Sequence, residues 1–252
     1  MIVGVDFATD SGKKTWIARG KRDKNELVID LLASVAHKDI LGLAKGASVI
    51  GIDVPFGWPI RFKDALQRYR ADNPVTLQAP FPERLTDINI RNKLNLTPLS
   101  VAAQLIGRCT WEAARLLAEA KSADYCINPT ELTKKRSVIE VYPKATLCSL
   151  SRMAKADFNN LQHYKKGARA PANRGEICEL VLRRLSIKFE DPNKACQDMQ
   201  THHDALDAAL ALVTADAFSR GEVLPPLQNA DQAAQEGWIY YPADAYAKWL
   251  AN

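Results

Sequence analysis

The sequence predicts an α/β protein in which a mixed five-stranded sheet is flanked by helices. Two apolar, β-branched runs, at residues 1–7 and 48–53, carry an aspartate at or next to their ends, Asp6 and Asp53, and are typical of buried strands. Strand-like runs at residues 15–19 and 26–31 follow the first after polar turns, which indicates an antiparallel meander. A fifth run, at residues 137–142, is ended by a proline.

The helices that flank the sheet are predicted from the spacing of apolar residues. Residues 100–119 and 174–186 form amphipathic helices, and residues 35–45 form a shorter one. Residues 201–219 are rich in alanine and leucine, so this helix is suited to burial against the sheet. Residues 190–200, which are polar and lie between the helices at 174–186 and 201–219, are predicted to form a linker.

The chain is expected to form a single domain over residues 1–252. Insertions are predicted at about residues 60–98 and 144–172, and the tail around Tyr240 is predicted to form a short strand and a helix. The stretch from residue 134 to residue 188 is rich in lysine and arginine, although the net charge is only +5. Such a segment suits an anionic partner, or it forms a solvated face, and the sequence leaves both interpretations open.

The cysteines and the hydropathy of the chain predict its compartment. There are five cysteines without a C-x-x-C pair, and no signal peptide opens the chain. These features predict a reducing cytoplasm and argue against disulfides and a structural zinc site. No apolar run approaches the roughly 20 residues that span a bilayer, so we expect no membrane partner.

Four aspartates form the candidate site. Asp6 and Asp53 end two strands that can lie side by side, and ligands gather at the carboxyl ends of such strands. Asp204 and Asp207 lie three residues apart near the start of the last long helix, so both project from one side of it. Grouped carboxylates repel one another and resist burial unless a cation lies between them.

Three further groups have two interpretations each. Glu140, within the fifth strand, is either an exposed strand residue or a catalytic acid that faces the same pocket as the aspartates. Arg108 and Glu112 are spaced as a surface ion pair on a helix, although they contact substrate if that helix faces the site. His203 either relays protons beside Asp204 or caps the helix.

The order of these features resembles the ribonuclease H-like fold shared by retroviral integrases and Holliday-junction resolvases of the RuvC type. The closer resemblance is to the DUF429 family, whose members are predicted nucleases of that fold with uncharacterised function. Five segments in the same order carry the resemblance: Gly4-Val5-Asp6, Gly51-Ile52-Asp53-Val54-Pro55-Phe56-Gly57, Arg108-Cys109-Thr110-Trp111-Glu112, Glu140-Val141-Tyr142-Pro143 and His203-Asp204-Ala205-Leu206-Asp207-Ala208.

The resemblance implies a metal-dependent nuclease. Asp6, Asp53 and Asp204 or Asp207 would hold Mg²⁺ or Mn²⁺, with Glu140 as a further catalytic carboxylate, and a pair of such ions activates water and stabilises the leaving oxygen of a phosphodiester. Resolvase-like chemistry would also require a homodimer that presents two sites. Contacts to the phosphates of DNA or RNA are expected from five basic residues: Lys144, Lys165, Lys166, Arg169 and Arg174.

Two other functions remain open. One is a small-molecule phosphotransferase or nucleotide hydrolase of the actin-like kinase type, although residues 10–14 make a poor Gly-rich phosphate loop. The other is a nucleic-acid-binding module without catalysis, in which the carboxylates bind one structural cation or none. The resemblance also departs from ribonuclease H itself, which carries a glutamate on its first helix where this chain offers only Asp39.

Overall fold

A computed structural model describes residues 1–8, 15–23, 26–68, 70, 72, 83–102, 104–182, 186–226 and 228–246. Within these residues, eight strands form one mixed sheet. The strands are β1 (Ile2–Asp6), β2 (Thr15–Asp23), β3 (Glu26–Val35), β4 (Val49–Asp53), β5 (Cys126–Ile127), β6 (Ser137–Val141), β7 (Ile187–Phe189) and β8 (Ile239–Tyr240).

The order of the strands confirms the predicted fold class. The five predicted strands are present in the order β3-β2-β1-β4-β6. Strand β2 runs antiparallel to β1 and β3, whereas β1, β4 and β6 are parallel to one another. This arrangement is consistent with a ribonuclease H-like α/β fold. The three short strands are additions at the edges: β7 pairs with β3, while β5 and β8 pair with the two ends of β6.

Ten α-helices surround the sheet in the described part of the chain. A π-helical turn, Ile177–Leu182, continues the seventh of them, and two short 3₁₀ helices cover His37–Asp39 and Asp244–Tyr246. The α-helices are α1 (Ile40–Leu43), α2 (Ile60–Arg68), α3 (Leu85–Leu94), α4 (Gln104–Ser122), α5 (Pro143–Met153), α6 (Phe158–Leu161), α7 (Ala170–Glu176), α8 (Pro192–Thr201), α9 (His203–Ser219) and α10 (Ala230–Glu236).

Helices α9 and α4 cover opposite faces of the sheet. Residues 205–218 of α9 are all buried, as its alanine-rich sequence predicts. On the other face, Val3 and Val5 of β1 pack with Ala113 and Leu116 of α4. Alternate residues of β1 therefore face the two helices, because side chains alternate between the faces of a strand. Among the described helices, none has both the length and the apolar composition that crossing a membrane requires.

Two glycines allow α9 to lie directly on the sheet. A Cβ atom on Gly4 would lie 2.2 Å from the backbone nitrogen of Leu212, and one on Gly51 would lie 2.6 Å from the carbonyl oxygen of Ala211. A larger residue at either position would push the helix away. Since residues two apart share a face of a strand, the aspartates that follow, Asp6 and Asp53, lie on the α9 side of the sheet.

The prediction of a linker at residues 190–200 was wrong, because this stretch contains α8. The Asp191 side chain caps the helix by accepting a hydrogen bond from the backbone N–H of Lys194, and Pro192 occupies the first turn. The helix predicted at 174–186 begins earlier, at Ala170, and changes to π geometry at Ile177. Of the predicted insertion at 60–98, residues 73–82 lie outside the described residues.

Candidate metal centre

Three aspartates meet at the carboxyl ends of the central strands. Asp6 and Asp53 end β1 and β4 and are direct partners in the parallel register. Asp207 reaches them from the second turn of α9. One carboxylate oxygen from each lies within 4.8 Å of the other two. Three of the four aspartates predicted from the sequence are therefore in one cluster, which we call the aspartate cluster.

Asp207 is held in place by the segment between α6 and α7. Its side chain is fully buried, and the Tyr164 hydroxyl donates a hydrogen bond of 2.6 Å to its Oδ1. Its Oδ2 lies 2.8 Å from the ammonium nitrogen of Lys165. That contact lacks hydrogen-bond geometry, so within the described residues Oδ2 is a buried oxygen without a hydrogen-bond donor. The Lys165 ammonium is therefore a charged neighbour of this oxygen without a well-aligned hydrogen bond to it.

The three carboxyl groups differ in their pKa values. Burial raises the pKa of Asp6 well above its usual range, and the charges of Asp207 and Asp53 raise it further. Burial also raises the pKa of Asp53 to about 7, although Lys165 opposes the rise. Burial acts on Asp207 in the same direction, but Lys165, His203 and Tyr164 together hold its pKa below the usual range. Without a cation, Asp207 is therefore the carboxyl group that is most readily ionised, whereas burial favours the protonated form of Asp6 and Asp53.

The donors of the aspartate cluster fit a hard divalent cation. Mg²⁺ and Mn²⁺ prefer carboxylate oxygens, which all three residues supply. A divalent cation between them would favour the ionised form of Asp6 and Asp53. Asp207 Oδ2 is buried and accepts no hydrogen bond, although the Lys165 ammonium lies beside it, and this position is open to a cation.

Asp204 and His203 lie beside the aspartate cluster rather than in it. Asp204 is one turn before Asp207, is 42% exposed, and its Oδ1 lies 2.8 Å from His203 Nδ1. The same nitrogen lies 3.7 Å from Asp207 Oδ2. The carboxylates of Asp204 and Asp207 raise the pKa of His203 to about 9. His203 is therefore protonated at neutral pH, where it can donate a proton but cannot accept one.

Glu140 is buried against Arg84, so the interpretation of an exposed strand glutamate was wrong. Arg84 Nη1 donates to Glu140 Oε1 at 2.8 Å and to Oε2 at 3.0 Å. The backbone N–H of Phe56 donates to the same Oε2 at 2.9 Å. The remaining donors of the Arg84 side chain bind Asp87. Glu140 thereby supports the turn that follows Asp53, and its own oxygens are occupied by protein donors.

The predicted phosphate-binding residues have different surroundings. Lys165 contacts Asp207, and the neighbouring Lys166 and Arg169 are exposed in the same segment. Lys144 is partly buried in the first turn of α5. Arg174 is buried, and its guanidinium donates to the backbone carbonyls of Tyr164 and Gln200. Arg174 therefore braces the Lys165 segment against the end of α8.

Arg108 and Glu112 lie on the face of the sheet opposite to α9. They form an ion pair of 2.9 Å on α4, as the spacing predicted. The pair borders an open groove that also includes Phe7, His37 and Trp111, and Trp111 is 75% exposed. Since Phe7 packs with the α4 layer, this groove is separated from the aspartate cluster by the sheet.

Two residues of the site were not predicted from the sequence. Tyr164 orients Asp207, and its only sequence signal was an aromatic residue beside Lys165 in a polar stretch. Arg84 neutralises Glu140 from a region that lacks a clear pattern, and nothing in its local sequence indicates a buried cation.

The fold and the site define a class of protein: an α/β protein whose central parallel strands carry a cluster of aspartates at their carboxyl ends. The chain belongs to the DUF429 family, described as a protein of unknown function, whose profile matches residues 4–232. Neither the curated proteins nor the solved structures include a match to this chain.

Proposed function

We propose that this protein is a divalent-metal-dependent nuclease that hydrolyses phosphodiester bonds in DNA or RNA. The observation that carries the proposal is the aspartate cluster, in which oxygens of Asp6, Asp53 and Asp207 lie within 4.8 Å of one another. Asp207 Oδ2 supports it, because this buried oxygen accepts no hydrogen bond and a divalent cation could take the place of the Lys165 ammonium beside it.

In this proposal Asp6, Asp53 and Asp207 hold Mg²⁺ or Mn²⁺. The metal would act as a Lewis acid on a phosphate oxygen and lower the pKa of attacking water. Tyr164 keeps the Asp207 carboxylate in one orientation through its hydroxyl. Glu140 restrains the turn after Asp53 through the backbone of Phe56. These supports limit the movement of the carboxylates, which catalytic positioning requires.

The substrate would bind along the segment that carries Lys165. Lys166 and Arg169 are exposed there, next to the residue that touches the cluster. Lys144 in the first turn of α5 would add a further positive charge. Contacts of this kind neutralise phosphates without reading sequence, so we expect binding that weakens steeply with salt.

Protonated His203 would serve as a proton donor in this reaction. The Asp204 carboxylate, 2.8 Å from His203 Nδ1, favours the charged imidazolium, which lies 3.7 Å from Asp207. A group in this state can protonate the leaving oxygen of the phosphodiester or interact with a phosphate. Asp204 would then orient the imidazolium rather than bind metal directly.

A cleavage assay tests the proposal directly. Purified wild type is incubated with Mg²⁺ or Mn²⁺ and a panel of single-stranded, duplex, branched and RNA–DNA hybrid oligonucleotides. We expect cleavage of at least one substrate, with a loss of at least 100-fold in Asp53→Asn. The exposed Asp64→Asn serves as the matched control and should cleave normally. Full cleavage by Asp53→Asn after careful purification would show that the cluster is not the catalytic centre.

A second candidate is a nucleic-acid-binding module without catalysis. One observation favours it: the Lys165 ammonium lies 2.8 Å from Asp207 Oδ2, so this carboxylate has a counter-ion without any metal. This candidate predicts normal nucleic-acid binding in chelator and no turnover with any metal. The phosphotransferase interpretation stays a prediction from the sequence, and residues 10–14, which argue against it, lie outside the described residues.

We propose that the protein acts in the cytoplasm, and its oligomeric state can be tested together with its substrate. All five cysteines are free thiols, which suits a reducing compartment. A resolvase-like reaction on a branched substrate would require two copies of the site, so cleavage of branched DNA should coincide with a dimer in light scattering.

A further inference from the structure

Lys165 has an unusual position for a lysine of a surface segment. Its ammonium nitrogen lies 2.8 Å from Asp207 Oδ2, the oxygen that lacks a hydrogen bond. Lysine side chains are charged at neutral pH, so this contact joins an ammonium to a carboxylate. The same side chain is 41% exposed, so it also has access to solvent.

The backbone beneath Lys165 is firmly held. Tyr164 is fully buried, its hydroxyl binds Asp207, and its carbonyl accepts a hydrogen bond from Arg174. Arg174 in turn donates to the carbonyl of Gln200, near the start of α9. The Lys165 side chain could move between the aspartates and solvent without a change at Tyr164, since its four-carbon stem has several rotatable bonds.

The ammonium of Lys165 and a divalent cation would compete for the carboxylate oxygens of the aspartate cluster. The ammonium is a compact cation that approaches Asp207 Oδ2 at a distance typical of a charged contact. A divalent ion bound to that oxygen would lie within a few ångströms of it, and two cations repel strongly at such a separation in a partly buried site.

We propose that Lys165 is a built-in counter-ion of the aspartate cluster, which a divalent metal must displace in order to bind. The displaced ammonium then contacts a phosphate of the nucleic acid, so that metal and substrate favour each other's binding. This inference rests on the metal site of the proposed function and adds a regulatory role: without nucleic acid Lys165 weakens metal binding, and a phosphate that binds its ammonium removes this competition.

Binding of Mn²⁺ alone, measured by calorimetry or electron paramagnetic resonance, tests the competition. Lys165→Gln removes the charge, and we expect it to bind Mn²⁺ at least 10-fold more tightly than wild type. Lys121→Gln removes an exposed charge on α4, across the sheet from the aspartate cluster, and should bind like wild type, which accounts for the general loss of positive charge. Equal or weaker binding by Lys165→Gln would overturn the inference.

Two further measurements separate competition from misfolding. In chelator, Lys165→Gln should melt at a lower temperature than wild type, because Asp207 loses its counter-ion, and added Mn²⁺ should restore it. Lys165→Arg keeps a positive charge and should retain weak Mn²⁺ binding. If Lys165→Arg binds Mn²⁺ as tightly as Lys165→Gln, charge is not the competing property and the inference fails.

The coupling to substrate is tested with a phosphorothioate oligonucleotide that resists cleavage. We expect it to tighten Mn²⁺ binding by wild type at least 5-fold and to have a smaller effect on Lys165→Gln. An equal effect on both proteins would contradict the role of Lys165 in the coupling. Failure of wild type to cleave any substrate would contradict the proposed nuclease while leaving these binding results unchanged.

Discussion

Arg84 and Glu140 form an ion pair that is excluded from solvent, with side chains 1% and 2% exposed. Arg84 also binds Asp87, and Glu140 also accepts the backbone N–H of Phe56. Removal of one partner from such a network is costly, because the other charges remain buried without compensation. This residue pair therefore links the position of Asp53 to the stability of the whole domain.

Arg84→Met should lower the free energy of unfolding by about 3–5 kcal/mol, because Glu140 and Asp87 would stay buried and unpaired. Urea denaturation followed by circular dichroism measures the loss. The matched control is Arg115→Met, which breaks an ion pair with Glu119 in which Arg115 is 88% exposed. The control should change stability by no more than about 1 kcal/mol. Similar losses in both variants would contradict a structural role for the buried pair.

His203 should contribute stability that depends on pH. Its pKa is raised from about 6.5 to about 9 in the folded protein by Asp204 and then Asp207. A raised pKa means that the contribution is fully present below about pH 6.5 and is lost as the pH rises through about 9. Melting temperatures between pH 6 and pH 10 should fall more steeply for wild type than for His203→Gln. The exposed His163→Gln should follow wild type, and parallel curves for all three proteins would refute the prediction.

At the residue scale, the sequence predicts that Asp6 and Asp53 meet, but it predicts neither which aspartate of α9 joins them nor what holds that aspartate. Asp6 and Asp53 follow Gly-Val and Gly-Ile in strands, and this pattern is sufficient to bring them together. The sequence does not distinguish Asp204 from Asp207 as the third member of the cluster. In the structure, Asp207 lies one turn further along α9 and reaches the ends of the strands, whereas Asp204 does not. Tyr164 could not be identified, because its contact with Asp207 spans 43 residues of chain.

At the scale of elements, the contact between α9 and the sheet determines the site. The helix lies on β1 and β4 at the two glycines, so its second turn brings Asp207 level with the strand ends. Any residue larger than glycine at these positions would separate Asp207 from its two partners. The glycine in each Gly-x-Asp segment is therefore as necessary to the cluster as the aspartate.

Gly4→Ala tests this contact. The added Cβ would lie 2.2 Å from Leu212 N and 2.3 Å from Ala208 O, and backbone atoms cannot move aside cheaply. We expect a loss of at least about 3 kcal/mol in urea denaturation, or failure to fold. Gly42→Ala is the control, since its Cβ would meet no atom within 4 Å and alanine favours helix. An unchanged Gly4→Ala protein would show that α9 is not packed this closely.

The elements that were mispredicted are those whose signals are short or local. The polar composition of α8 predicts a linker, although the N-cap residue Asp191 followed by Pro192 is typical of the beginning of a helix. The edge strand β7 has only three residues, too few for a periodic pattern. By contrast, the bounds of α9 were predicted within two residues, because its apolar pattern is long and uniform.

At the scale of the molecule, a meander and two crossover strands bring distant parts of the chain to one edge of the sheet. Asp6, Asp53 and Asp207 are far apart in sequence, and the parallel arrangement of β1 and β4 makes the first two neighbours. The segment with Lys165 approaches from the α9 side and completes the site. The strand pattern is sufficient to predict the fold class. The position of the Lys165 segment beside Asp207 depends on tertiary contacts, which the local sequence does not indicate.

The central claim is that the aspartate cluster binds a divalent metal, and thermal melting with Mn²⁺ tests it most directly. Wild type should melt about 5 °C or more higher at saturating Mn²⁺ than in chelator, since ligands that bind only the folded state stabilise it. Asp53→Asn should show no such increase, and Asp64→Asn should respond like wild type. An equal increase in wild type and Asp53→Asn, or no increase in wild type even with a phosphorothioate oligonucleotide present, would contradict the claim.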